Sequence, residues 1–282
     1  MSHAVLNRLF TERTLDALAS HGYDPVYEHA ARKYASHCKG MTNREVLRAV
    51  FEYMQKHYRN EYIFKSLLLN KLVFGVHNPR TSTAICELPI AGSIADFVIV
   101  NGRAVVYEIK TDLDNFQRLD KQINNYYKAF EYVNILCSEA TCGRLLSFFA
   151  GSPVGICVLT KRGGISVRKE SLQYTAEINR AVQYDLLRKA ERNRILLNCG
   201  FELPDVGASR YYQTCFNLFN SIPDCQFSGE FLRALKSRGD KINIEALNSY
   251  PHEFRLIAYT HRATIKQATA LNAFLEAPCF IV

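Results

Sequence analysis

The stretch that decides the fold runs from Ile94 to Asp112 and reads IADFVIVNGRAVVYEIKTD. Most of it is strand-forming sequence on both sides of an Asn-Gly turn signal, which predicts a β-hairpin. Three ionisable side chains interrupt the apolar runs, namely Asp96, Glu108 and Lys110. Burying a charge without a partner is costly, so we expect these three side chains to interact with one another or with a ligand.

The length of the hairpin connection decides whether the two carboxylates meet. A two-residue turn at Asn101-Gly102 places Asp96 and Glu108 on opposite faces, whereas a three- or five-residue connection pairs them directly. We predict the odd-length connection, with Gly102 supplying a positive φ. Glu108 and Lys110 share a face in either case, because strand side chains alternate.

In the paired register the two carboxylates lie roughly 5 Å apart at Cβ and repel each other. A divalent cation removes the repulsion, and a site of carboxylate oxygens suits Mg²⁺ or Mn²⁺. Such an ion activates water and stabilises a phosphate under attack, while Lys110 offsets phosphate charge or orients water. An isolated Glu-x-Lys is more often a solvated strand face. Asp96, twelve residues upstream, and the strand–strand–helix order favour a phosphodiesterase instead.

Periodicity places this hairpin in a mixed sheet flanked by helices. Alternating apolar residues predict strands at 84–90, 94–100, 103–110, 132–137, 154–159 and 165–168. Three-and-four spacing predicts helices at 59–72, 116–130, 141–149, 174–197 (one helix or two), 208–220, 228–237, 251–260 and 262–276. Thr42 and Glu45 have the spacing of a capping box at a further helix. We therefore expect an α/β fold of packed layers.

The same pattern divides the chain into three regions. Residues 1–58 are predicted as a helical N-terminal extension, 59–170 as the mixed β-sheet core and 171–282 as a helical region of separate role. Its helices are candidates for a homodimer contact or for a protein partner.

Composition narrows the class of protein. With 48% hydrophobic and 22% charged residues the chain is globular, and no stretch approaches the roughly 18 consecutive apolar residues of a membrane span. The amino terminus lacks a signal-peptide pattern, so we expect a cytoplasmic protein with no membrane partner and with its nine cysteines reduced. The eight histidines form no HExxH, which disfavours a zinc protease. A formal charge of +8 is compatible with a nucleic-acid partner.

Four segments together resemble a bacterial branch of the PD-(D/E)XK nuclease-like superfamily. They are Asn60-Glu61-Tyr62, Lys71-Leu72-Val73, Ala95 through Gly102, and Tyr107 through Gln122. The match covers about residues 59–137, just over a quarter of the chain, and Ala95 replaces the proline of the family name. The resemblance implies a restriction-endonuclease-like fold and metal-dependent cleavage of DNA, as an endonuclease by family habit. Because the family includes proteins of bacteria and mobile elements, it leaves defence, repair and phage-related roles open.

The resemblance also implies a role for each matching residue. The metal ligands would be Asp96, Glu108 and the backbone carbonyl of Ile109. Lys110 would be the catalytic lysine, Glu61 would hold water bound to the metal, and Gln122 would touch that water or the phosphate.

Further residues extend this site in the prediction. Glu87, in the first strand, either adds a ligand or is a strand-edge charge. Arg118 and Tyr126 share a helix stripe with Gln122, so we expect them to contact nucleic acid. Lys161 and Arg162 form a basic hairpin tip with the same expected role.

Basic and aromatic residues also recur outside the predicted core. Residues 188–194 mix charges of both signs on a helix, which is typical of a solvated face. Arg210-Tyr211-Tyr212 pairs a cation with aromatic rings suited to phosphate contact or stacking.

Two functions other than a DNA nuclease stay open for this chain. One is a catalytically silent nuclease-like module that binds nucleic acid or protein, and the other is a nuclease directed at RNA.

Overall fold

A six-stranded mixed sheet with helices on both faces forms the centre of the molecule, which confirms the predicted mixed α/β architecture. The structure is a computed structural model and describes residues 3–112 and 114–281. The strands are β1 (Thr83–Ile90), β2 (Ser93–Asn101), β3 (Arg103–Lys110), β4 (Tyr132–Cys137), β5 (Gly155–Leu159) and β6 (Ile165–Lys169).

Helices precede, connect and follow the strands. Those before the sheet are α1 (Ala4–Leu9), α2 (Glu12–His21), α3 (Pro25–Tyr34), α4 (Asn43–His57) and α5 (Glu61–Leu68). Those between strands are α6 (Leu119–Tyr127) and α7 (Glu139–Phe148). Those after the sheet are α8 (Arg180–Leu186), α9 (Lys189–Asn198), α10 (Ala208–Asn220), α11 (Asp224–Ser237), α12 (Ile244–Ser249), α13 (Arg255–Thr260) and α14 (Ile265–Glu276).

The strands lie side by side in chain order. The first three pair antiparallel, β3 to β5 run parallel, and β6 returns antiparallel to β5. Each parallel step needs a crossover, and α6 and α7 supply the two crossovers.

Local sequence accounts for several element ends. The Thr42 side chain accepts from the Glu45 N–H while the Glu45 carboxylate accepts from the Thr42 N–H, so the predicted capping box is present. The helix predicted over 59–72 instead ends as α-helix at Leu68 and continues as a π-helix over Leu69–Val76. The segment 174–197 forms two helices, and α12 is an element that periodicity did not predict.

Two apolar cores lie on the two faces of the sheet. Helices α1–α5 and α12–α14 cover one face, with buried Phe51, Phe64 and Leu271 in one cluster. Helices α6–α11 cover the other, with buried Phe219 and Phe231 in the second cluster. The region 171–282 therefore packs on both sides of the sheet, and its last helices share a core with the N-terminal helices.

The cysteines and the apolar character of the helices can be compared with what the composition predicts. All nine cysteines are free thiols, as predicted. Within residues 3–112 and 114–281, no helix has the length and apolar character to cross a membrane.

Candidate active site

The register of β2 and β3 brings the two predicted carboxylates together. Asn101 pairs with Arg103 around Gly102, whose φ is +71°, and pairing continues to Phe97 opposite Tyr107. The odd-length connection is thus confirmed, and the next position in this register sets Asp96 across from Glu108. There the strands separate, and Asp96 Oδ2 accepts a hydrogen bond from the Ile109 N–H at 2.7 Å.

A chain of hydrogen bonds links Glu108 and Lys110 to helix α6. Lys110 Nζ lies 2.7 Å from Glu108 Oε1 and 3.2 Å from Gln122 Oε1. The Tyr126 hydroxyl lies 2.6 Å from Glu108 Oε2 and 2.7 Å from the carbonyl oxygen of Ile94. Glu108 and Lys110 are only 1% and 8% exposed, so the buried ion pair is held in place by α6.

A second lysine, which sequence reasoning missed, completes the cluster. Lys65 on α5 is buried, and its Nζ lies 2.5 Å from Glu61 Oε1 and 3.2 Å from Glu87 Oε1. Burial lowers the pKa of Lys65, but the hydrogen bond and charge of Glu61 outweigh this and raise it, with further contributions from Asp96 and Glu87. The i,i+4 spacing of Glu61 and Lys65 was the available signal.

Glu87 lies where the sheet changes faces. Cys86 pairs with Phe97 and Leu88 with Ala95, so Glu87 stands across from Asp96. Cys86 and Phe97 pack on the first core, but Leu88 and Ala95 belong to the second. The φ of Glu87 is +53°, a strained value for a side-chain-bearing residue, and it permits this inversion.

The cluster carries more negative than positive charge. It contains four carboxylates and two ammonium groups, a formal balance of 2 − 4 = −2, from Glu61, Glu87, Asp96, Glu108, Lys65 and Lys110. Burial first, and then the charge of Glu108, raise the pKa of Asp96 to about 7, although the Ile109 N–H opposes the shift. An added positive charge would stabilise this arrangement.

A cleft of about 600 Å³ opens beside the cluster. Its lining includes Glu61, Lys65 and Glu87. Thr111, the residue directly after the end of β3, also lines it. Helices α2 and α13 form its opposite wall, where His261 Nδ1 lies 2.8 Å from Glu12 Oε2.

One predicted role differs from what the structure shows. Tyr126 is 0% exposed, so its prediction as a nucleic-acid contact is wrong; it lies on the buried face of α6 and holds Glu108 instead. Burial raises the pKa of Tyr126, and the neighbouring Glu108 adds to this, which keeps its hydroxyl protonated as a donor. Ile109 donates its N–H to Asp96, and the implied role of its carbonyl as a metal ligand stays a prediction.

Among the other predicted residues, Gln122 belongs to the cluster, whereas Arg118, Lys161 and Arg162 lie on the surface. Arg118 is exposed at the start of α6, and Gln122 lies in the first turn of that helix. Lys161 and Arg162 are exposed on the β5–β6 turn. Among the side chains that the structure describes, no three His, Cys, Asp or Glu residues converge closely enough to form a ready-made metal cage.

Comparison with known proteins gives two matches and one negative result. A family model described as bacteriophage P4 protein cII matches residues 54–253. Protein cII of Enterobacteria phage P4 is 32% identical over 124 residues, covering 42% of this chain and 46% of that protein. The chain therefore matches just under half the length of this relative. No solved structure matches the chain.

Proposed function

This chain belongs to the bacteriophage P4 protein cII family, and we propose that it is a metal-dependent nuclease that hydrolyses phosphodiester bonds in DNA. The observation that carries the proposal is the approach of Asp96 to the Glu108–Lys110–Gln122 chain at the point where β2 and β3 separate. The order of α5, β1, β2, β3, α6 and β4 agrees with the PD-(D/E)XK resemblance drawn from the sequence.

The donor atoms fit Mg²⁺ or Mn²⁺. Both are hard cations that take oxygen ligands, and Mg²⁺ commonly uses one or two carboxylates with water molecules completing its coordination. Asp96 and Glu108 are the two carboxylates in position. Each Glu108 oxygen accepts one hydrogen bond here, which leaves about two of four lone-pair sites free. A cage of three side chains is therefore not required.

When bound, the cation would supply charge stabilisation for the phosphate and lower the pKa of a coordinated water. The protein's own groups do the rest. An ammonium has three N–H bonds, and Lys110 directs two of them at Glu108 and Gln122, so the third can be given to a phosphate oxygen or to the attacking water. Tyr126 holds Glu108 in place, and Lys65 holds Glu61 and Glu87 at the cleft wall.

The test is cleavage of supercoiled plasmid and of end-labelled oligonucleotides in Mg²⁺, Mn²⁺ or EDTA. We expect cleavage only with a divalent ion, and a loss of roughly 100-fold or more in Asp96→Asn and Lys110→Met. Lys71→Met, which neutralises an exposed lysine outside the cluster, is the matched control and should keep full activity. Activity that survives both site substitutions would refute the mechanism.

A second function is favoured by the burial of the Glu108–Lys110 pair. Two nearly inaccessible, mutually satisfied charges are also what a catalytically silent module would retain for structural reasons. Such a module would bind nucleic acid or protein without cleavage. It predicts no binding of a divalent ion at Asp96, and calorimetry separates it from the nuclease.

A further inference from the structure

The cleft beside the acidic cluster continues into a second cleft and has a third cleft nearby. The second, of about 340 Å³, shares four lining residues with the first, namely Cys86, Glu87, Thr260 and His261. The third, of about 380 Å³, shares no lining residue with the second, but its Lys189 follows Arg188 of the second cleft directly in sequence at the start of α9. The three clefts therefore follow one another from the acidic cluster to helices α9 and α10.

The second cleft is basic. Arg188 and Arg262 line it and are exposed. Arg262 and Glu87 both have a φ of +53°, and both residues line this cleft. Backbone strain of this kind concentrates at binding sites. Exposed guanidinium groups suit phosphate oxygens, which they contact in a bidentate manner.

The third cleft combines cations with aromatic rings. The Arg192 guanidinium lies 4.2 Å from the ring centroid of buried Tyr184 and 5.1 Å from that of Tyr212. Lys189 Nζ lies 4.8 Å from the ring centroid of Tyr211. Tyr212 is 44% exposed, so part of its ring is open to solvent. Tyrosine rings and guanidinium planes are the surfaces on which unpaired bases stack.

The cations along these two clefts outnumber the acids. Among the described residues that line them, Glu87 is the one carboxylate, and it is paired with Lys65. Glu191 is paired with Arg238 at an N–O distance of 2.7 Å, and Asp185 keeps its charge while it accepts a hydrogen bond from the Tyr212 hydroxyl. Bases within a duplex are stacked on one another and cannot reach an aromatic ring, whereas those of a single strand can. The chemistry of the path thus distinguishes between the two forms of nucleic acid.

We propose that the three neighbouring clefts bind one single strand of nucleic acid. Arg188 and Arg262 hold its phosphates, the Lys189–Tyr211 and Arg192–Tyr212 pairs stack its bases, and the strand leads to the acidic cluster. The direction of the strand toward a cleavage centre rests on the proposed nuclease function, but its binding does not.

Binding without cleavage is the test. Fluorescence anisotropy of a 5′-labelled thymidine 20-mer, a uridine 20-mer and a 20-base-pair duplex is measured with the full chain in EDTA. We expect either single strand to bind at least tenfold more tightly than the duplex. A stacked base contributes roughly 5- to 150-fold to the dissociation constant, so Tyr212→Ala should weaken binding at least fivefold. Lys189→Ala should weaken binding similarly and reduce the salt slope by about 0.7.

Matched variants separate stacking from loss of structure. Tyr212→Phe keeps the ring and should bind like the wild type. Tyr23→Ala removes a tyrosine that is 54% exposed elsewhere, and Lys266→Ala removes an exposed lysine on α14; both should change the dissociation constant less than twofold. Equal affinity for the duplex, or a Tyr212→Ala effect no larger than that of Tyr23→Ala, would overturn the proposal.

The outcome is independent of the nuclease assay. A protein that binds single strands as described but never cleaves them contradicts only the nuclease. A protein that cleaves normally while Tyr212→Ala and Lys189→Ala bind normally contradicts only the strand path.

Discussion

Replacing Asp96 by asparagine should stabilise the metal-free protein at alkaline pH, although it removes a side chain of the candidate active site. Asparagine keeps an oxygen that can accept from the Ile109 N–H, and it removes the negative charge that faces Glu108. Burial and Glu108 raise the pKa of Asp96 in the folded protein above its usual value near 3.8, to about 7. The folded state therefore holds this proton more tightly than the unfolded chain does.

The sign of the pH dependence follows from this difference. As pH rises from about 4 to about 7, the Asp96 carboxyl ionises in the unfolded chain before it ionises in the folded protein. The free energy of unfolding of the wild type therefore falls across this window, and the whole contribution is lost above it. The pKa difference between 3.8 and about 7 corresponds to about 4 kcal/mol in the free energy of unfolding, because each tenfold change in the ionisation constant is worth about 1.4 kcal/mol. Asp96 is partly exposed, and solvent screening reduces this to about 2 kcal/mol.

Thermal unfolding in EDTA at pH 5 and pH 8 measures the effect. We expect Asp96→Asn to raise Tm at pH 8 by roughly 4 °C and to change it little at pH 5, where the wild-type carboxyl is protonated. Mn²⁺ should raise the Tm of the wild type at pH 8 and leave the variant nearly unchanged. A variant that is equally destabilised at both pH values would show that Asp96 is not a partly buried carboxylate destabilised by repulsion from Glu108.

Three further sets of substitutions test the site and the sheet by urea denaturation. Lys110→Met leaves the buried Glu108 carboxylate without its cation and should lower the free energy of unfolding by about 3–5 kcal/mol. Adding Glu108→Gln removes that unpaired charge and should restore most of the loss. If it restores nothing, Lys110 stabilises the fold through packing and not through its charge. Glu87→Gly should be about 1 kcal/mol more stable than Glu87→Ala, because only glycine accepts φ +53° without strain. Gly155→Ala should cost about 2 kcal/mol, since its Cβ would lie 2.8 Å from a backbone nitrogen, while Gly143→Ala in α7 meets nothing within 4 Å and should be neutral or stabilising.

The strands were predictable because their signals are local. Alternating apolar residues and the Asn101-Gly102 turn locate β2 and β3 to within one residue at each end, and the positive φ of Gly102 sets the register that brings Asp96 to Glu108. The prediction therefore identified the central pair of carboxylates and the lysine beside them.

What the sequence did not reveal depends on long-range packing. Lys65 joins the cluster only because α5 packs against β3 and brings the ammonium to Glu87, which faces it through an inverted backbone. Tyr126 looked like a surface residue because its stripe on α6 is polar. Arg118 of that stripe is indeed exposed, whereas Gln122 and Tyr126 bond to Lys110 and Glu108 of β3. Helix α12 is too short for its apolar period to be recognised. Helices α8–α11 and α12–α14 cover opposite faces of the sheet, and no local period in the sequence encodes that division.

Titration calorimetry with Mn²⁺ tests the central claim most directly, because it asks whether Asp96 and Glu108 hold a divalent cation. We predict one ion bound per wild-type chain at pH 8, with binding abolished in Asp96→Asn and retained in the control Lys71→Met. No binding to the wild type, or the same binding in Asp96→Asn, would contradict it.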